Sequence, residues 1–254
     1  MQLKLPIKFI VILTTWLACL SAAESRAAQF TVVLDPGHSP KSPGAISARG
    51  VPEVDFNDKL TAAIAKELNK DPRFKVEITR GPKKNLPLKK RARLINALDP
   101  DLVLSIHHDS VQPHFLKPWE LDGQILSYSD RFSGFSLFVP AKGYYAPLSK
   151  RAATLMADGL HEIGLSFASY HAQAIPGESR KWLDSARGIY AGDFLYLART
   201  IKRPFVLFEA GVLVNRAEEE RLSDSKQIKK MAGAIVKSIR DLACQFERDR
   251  RTRD

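Results

Sequence analysis

Two histidines and two glutamates carry the chemistry in this sequence: His38, Glu53, His107 and Glu209. Imidazole and carboxylate together suit a zinc ion, and catalytic zinc keeps three protein ligands and an open fourth position. Two His and one carboxylate leave such a site net positive, which lowers the pKa of water there toward about 7. A further carboxylate beside it can then move protons. A zinc hydrolase is therefore the first hypothesis. Spacing alone supports it weakly, because no two of these residues sit at i, i+4 on one helix. A first-turn Glu often serves only the helix dipole, and a strand-end His often does no more than hydrogen-bond.

The elements that must position these residues are legible as short apolar runs. Phe30 to Leu34 precedes His38, Leu102 onward ends in His107, and Phe205 onward ends in Glu209. Each run is β-branched or aromatic, as buried strands are. Further strands are expected at Lys75–Thr79 and Phe135–Val139. Helical periodicity predicts helices over Asp55–Asn69, Leu88–Leu98 and Leu148–Ile163, a short one over Asp193–Thr200, then Arg216–Leu222 and a final helix from Lys226 to about Phe246. Gln112–Ser133 is aromatic and irregular, and Ala168–Ala191 reads as a long polar loop. Strands alternating with helices predict a single α/β domain, its mostly parallel sheet covered by helices on both faces. In such sheets sites form beyond the carboxyl ends of the strands, where three of the four residues fall.

The N-terminal segment predicts export from the cytoplasm. Lys4 and Lys8 precede an apolar stretch from Phe9 to Leu20, followed by small residues at Ser21–Ala23 and Ala27–Ala28. That is the order of a secretory signal, expected over residues 1–27, and the stretch falls short of the roughly 20 residues a membrane span needs. Removal of the leader takes Cys19, loosely set as a lipidation site, and leaves Cys244 alone without a disulfide partner. The catalytic domain is expected over 28–246 and a basic tail over 247–254. Formal charge is +11 over the whole chain. A basic exported protein is drawn to anionic envelope polymers. Nucleic acid is not expected as a partner, because the basic residues are scattered and no aromatic-interleaved stripe appears.

The motifs resemble a known family. Leu34-Asp35-Pro36-Gly37-His38, then Gly50 to Glu53 with Asn57, then Ser105-Ile106-His107, then Val206 to Gly211 with Asn215, are similar to the zinc-dependent N-acetylmuramoyl-L-alanine amidases. The closer likeness is to the bacterial cell-division and spore-wall members. The four motifs occur in the family's order across roughly Phe30 to Leu242. The resemblance implies a twisted sheet of about six strands flanked by helices. It implies one zinc per chain, held by His38, Glu53 and His107, and Glu209 as catalytic carboxylate. It also implies peptidoglycan as substrate, cut between N-acetylmuramic acid and the stem peptide's L-alanine, with the periplasm as location. A zinc peptidase cutting within the stem, or a non-catalytic envelope-binding protein on this scaffold, are the competing readings.

The chain departs from the family pattern in places. Ser-Ile-His continues as His108-Asp109, so two adjacent His compete for one position. Alternation along a strand lets only one reach the metal, and the motif favours His107. His108, Arg80, His171 and Arg180 are candidate substrate contacts, and Trp119, Tyr144 and Tyr145 are aromatics of a kind that lines glycan clefts, although core packing is their commoner fate. Ser39-Pro40-Lys41 replaces glycines after Pro-Gly-His. No equivalent of the autoinhibitory helix of cell-division members is evident, so no activator is indicated.

Overall fold

A computed structural model describes residues 29–251. The expected leader, with Cys19, lies outside the described residues. The chain opens with β1 (Phe30–Pro36), α1 (Glu53–Leu68), β2 (Phe74–Ile78), α2 (Leu88–Leu98) and β3 (Leu102–Asp109). A hairpin of β4 (Lys117–Leu121) and β5 (Gln124–Tyr128) follows, then β6 (Ser136–Val139) and α3 (Ala146–Glu162). Two short strands, β7 (Trp182–Asp184) and β8 (Ile189–Ala191), lead to α4 (Tyr196–Thr200), β9 (Phe205–Val212), α5 (Arg216–Ser223) and α6 (Ser225–Arg251).

Seven strands form one sheet in the order β2-β1-β3-β9-β6-β8-β7. β2, β1, β3 and β9 run parallel, and β6 crosses to antiparallel pairing with β9. The two faces are covered unequally. Val32, Leu34, Leu104, Ile106, Val206 and Phe208 pack under α1, α3 and α6 in the larger core. The alternate residues Val33, Val103, Phe205 and Leu207 pack under α2 and α4. Burying a side chain of this size stabilises by about 1.5–3 kcal/mol, so most of the stability resides on the first face. The second face, under two short helices, has room for a site.

The structure refines four expectations. The sheet has seven strands where the resemblance implies about six: the segment read as a polar loop at Ala168–Ala191 adds two three-residue strands to the five legible as apolar runs. Gln112–Ser133 is not simply irregular: Leu121-Asp122-Gly123-Gln124 makes a two-residue hairpin turn, with φ of 51° at Asp122 and 77° at Gly123. Both central residues at positive φ is the turn that an Asp-Gly pair favours. The last helix runs on to Arg251, so much of the expected tail is helical. α1 also starts two residues early, at Glu53, and loop carbonyls explain it: Glu53 N–H donates to Ala45 O at 2.8 Å and Val54 N–H to Pro43 O at 3.0 Å. The loop thereby satisfies helix donors that no capping side chain reaches.

Candidate active site

The parallel register sets His107 of β3 directly beside Glu209 of β9. Side chains alternate along a strand, so Ser105 and His107 share a face with Leu207 and Glu209, on the α2/α4 side. His108 turns the other way. It is 3% exposed, its ring lies 5.6 Å from that of Phe56, and its Nδ1 lies 2.7 Å from Asn57 Oδ1. Burial pushes its pKa down to about 3, so the imidazole is neutral. The geometry therefore groups His107, not His108, with the other two candidate ligands.

One ligand atom each from His38, Glu53 and His107 lies within 4.8 Å of the others. Glu53 is the centre of the cluster: Oε2 is 3.0 Å from His38 Nε2 and Oε1 is 3.1 Å from His107 Nδ1. Its oxygens also accept from Ala45 N–H at 3.1 Å, the Asn57 amide at 3.0 Å and His108 N–H at 3.3 Å. Burial opposes the charge on Glu53, but the bonds and charges of His107 and His38 outweigh it and hold the carboxyl below its usual range. Two glycines make room. A Cβ on Gly37 would lie 2.4 Å from the His107 ring, and one on Gly44 would lie 2.3 Å from Glu53 Oε2.

His38 itself adopts φ 62°, a left-handed conformation uncommon for a side-chain-bearing residue. Arg80 holds it there. The guanidinium donates to His38 O at 2.8 Å and Gly37 O at 2.7 Å, and pairs with Asp58 at 2.8 Å. Arg80 is 3% exposed, so the structure places it behind the loop rather than among the substrate contacts expected of it. Beneath the loop, the Asp35 carboxylate accepts from Thr79 at 2.6 Å, Arg91 at 3.1 Å and Ser105 at 3.0 Å. That buried network fixes the end of β1.

Glu209 faces a cavity of about 370 Å³ together with His38, Glu53 and His107. Its Oε2 is enclosed with no hydrogen-bond partner. Burial, then the charges of Asp109 and Glu53, push its carboxyl well above the usual range. An enclosed, unpartnered carboxylate oxygen beside a two-His, one-carboxylate cluster fits a cation, which would reverse that shift. The donor chemistry suits zinc.

The opposite wall is a chain of polar residues. His171 Nε2 lies 2.8 Å from Asp109 Oδ2, and its Nδ1 lies 2.9 Å from Glu178 Oε2. Burial works against an imidazolium there, but the two carboxylates raise the pKa to about 9. Tyr170 hydroxyl also donates to Asp109, and Gln112 donates to Glu178 at 3.1 Å. Arg180 stands at the rim with its guanidinium 4.0 Å from the Phe194 ring centroid. Of the expected substrate contacts, His108, His171 and Arg180 line this cavity, His108 with its ring turned toward Phe56 and Asn57. Trp119 lies in the hairpin and donates to Ala48 O at 2.9 Å, and Tyr145 bonds Arg203 at 3.1 Å, before β9 begins. Asn215, part of a motif, caps α5 through Ala217 N–H and Glu218 N–H, both at 3.1 Å. Asp109 and Glu178 were not singled out. Asp109 stood two residues past a motif His, but nothing in the sequence marked Glu178 beyond its nearness to His171.

An open α/β sheet with three residues that could hold a metal ion and an enclosed carboxylate oxygen beyond its parallel strand ends has the layout of a hydrolase-type active site. Residues 32–241 match the N-acetylmuramoyl-L-alanine amidase family, and the chain belongs to it. It is 25% identical over 228 residues to a putative N-acetylmuramoyl-L-alanine amidase of Buchnera aphidicola subsp. Acyrthosiphon pisum, covering 84% of this chain and 94% of that one. Among solved structures, the N-acetylmuramoyl-L-alanine amidase of Clostridium difficile 630 shares the fold with a TM-score of 0.67 at 21% identity, over 85% of this chain and 97% of that one. The amidase Ami1 of Mycobacterium smegmatis does so with a TM-score of 0.67 at 22% identity, again over 85% and 97%.

Proposed function

We propose that the chain is a zinc-dependent amidase of the cell envelope that separates peptidoglycan stem peptides from glycan at the N-acetylmuramoyl–L-alanine bond. His38, Glu53 and His107 would hold the ion, and the observation that carries this is their convergence beside the unpartnered Glu209 oxygen. When bound, zinc supplies positive charge that acidifies the attacking water and stabilises the oxyanion developing on the amide carbonyl. Glu209 takes the proton from that water as general base. It then returns the proton to the amide nitrogen as general acid, without which the amine is a poor leaving group. Asn57 and the Ala45 and His108 amides hold Glu53 in its ligating orientation, as outer partners of metal ligands do. Arg180 presents positive charge to the substrate at the cavity rim, while the charge of His171 is taken up by Asp109 and Glu178. A signal segment at 1–27 and a periplasmic location belong to the same reading, since the substrate lies outside the cytoplasm.

Purified sacculi and mass spectrometry of the products provide the test. Release of whole stem peptides with a free L-alanine amine is expected. Products cut inside the stem would instead establish the peptidase. Glu209→Gln should retain zinc by elemental analysis and lose at least about 10²-fold in turnover. Equal hydrolysis by wild type and variant would remove Glu209 from its role. His38→Ala should lose the metal itself.

A further inference from the structure

A second cavity adjoins the first at His38 and His107. It too measures about 370 Å³ and runs down the same sheet face between the start of α2 and α4. Its walls are mostly apolar, formed by Leu86, Leu88, Leu197 and Phe205 among others. The one buried cation on its lining, Arg91, is paired with Asp35 at 3.1 Å and so brings no free charge. Leu195 and Leu207 line both cavities, so the two lie side by side. The volume lies within the range of about 300–1,000 Å³ that holds small-molecule ligands. Charge divides the two halves sharply: Asp109, Glu178 and Glu209 line the first cavity and none of them lines the second.

That division orients the substrate. Glu209 lines the polar cavity and not the groove, and the amide nitrogen must receive its proton from Glu209. The nitrogen and the peptide attached to it therefore lie on the polar side. The acyl group, on the other side of the scissile bond, is directed toward the apolar groove. The amide nitrogen gains positive charge when Glu209 protonates it, before the C–N bond breaks, which the carboxylates of the polar cavity favour, and Arg180 there can meet a carboxylate of the stem. The lactyl methyl and the C–H face of a sugar carry no charge and suit the groove.

We propose that the groove between α2 and α4 is the acyl-side subsite, receiving the lactyl group and the muramoyl sugar, with the stem peptide lying in the polar cavity against Arg180. This rests on the amidase reading above. Two synthetic substrates test it, the same L-alanyl-γ-D-glutamate peptide acylated either by N-acetylmuramic acid or by free lactic acid. Wild-type holoenzyme should prefer the muramoyl substrate by about tenfold or more in kcat/KM, because sugar binding is then used. Leu88 is 39% exposed and Leu86 is half-buried at the groove's rim. Leu88→Trp and, independently, Leu86→Trp fill the groove without touching the core. Each should raise KM for the muramoyl substrate about tenfold and reduce the preference to within about twofold. Arg180→Gln should lower kcat/KM for both substrates alike and keep the preference. The proposal is overturned if wild type shows no preference, if both Trp variants keep it, or if Arg180→Gln erases it. Failure of wild type to cleave either substrate, and sacculi as well, would instead overturn the amidase reading.

Discussion

Glu53 is the most constrained residue of the site. It is 4% exposed, sits within 3.1 Å of both histidines, and is oriented by two backbone amides and Asn57. Its position also depends on Gly44, at φ +83°, where a methyl group would meet Glu53 Oε2 at 2.3 Å. Gly44→Ala is therefore expected to displace the carboxylate and weaken zinc affinity about 10- to 100-fold, the usual cost of disturbing a ligand's outer support. Competition with a chromophoric chelator measures this, and unchanged affinity would mean that the loop yields instead. Residue type and motif order made His38, Glu53, His107 and Glu209 legible in the sequence, because each closes a strand or opens a helix. The residues that orient them were less so. Glu178 and Asp109 meet through His171 only after the sheet has assembled, 61 positions separating Tyr170 from the Asp109 carboxylate it also contacts. Arg80 looked like a contact because it ends a strand on the right edge, and burial shows that it instead restrains a strained His38.

At the scale of elements, His171 ties the end of β3 to the loop around Glu178, and the tie is ionic. Its pKa stands at about 9 against an ordinary 6.5. A histidine raised in the folded state stabilises fully below its unfolded pKa, and that stabilisation is lost as pH rises through the folded value. Stability is thus expected to fall between about pH 6.5 and 9, by on the order of 3 kcal/mol for a gap of this size. His171→Gln should be less stable than wild type near pH 6 and should show a much flatter decline across that interval. Denaturant midpoints at several pH values check it, and parallel curves for the two proteins would remove His171 as the source. The expected strands and helices were readable where long periodic runs exist, as in α1, α3 and the Leu102 to His107 run. β7 and β8 were hidden because three residues each carry no period. The hairpin was overlooked although Asp122-Gly123 announces it, since its strands expose one side to solvent and Ile125 is 72% exposed. Such strands lack the continuous apolar pattern that marked the others.

Over the whole molecule, charge and chemistry are separated. The chain carries 39 Lys and Arg against 28 Asp and Glu, yet the catalytic cavity gathers Glu53, Asp109, Glu178 and Glu209. Among the described residues the basic excess is therefore on other surfaces, where it can attract an anionic polymer, while the proposed chemistry belongs to the cavity's carboxylates. The two roles should respond differently to salt. Screening shortens from about 10 Å at 0.1 M to about 3 Å at 1 M, which weakens exposed charge interactions far more than those in an enclosed cavity. Retention on sacculi is expected to fall steeply as salt rises, measured by co-sedimentation of Glu209→Gln so that the polymer stays intact. Turnover of a soluble muramoyl dipeptide by wild type over the same series should change by less than about twofold. Equal salt dependence in the two assays would show that the surface charge does not hold the polymer. Salt-resistant retention would place the grip in the two cavities, where uncharged contacts of the apolar groove continue to act when surface charges are screened.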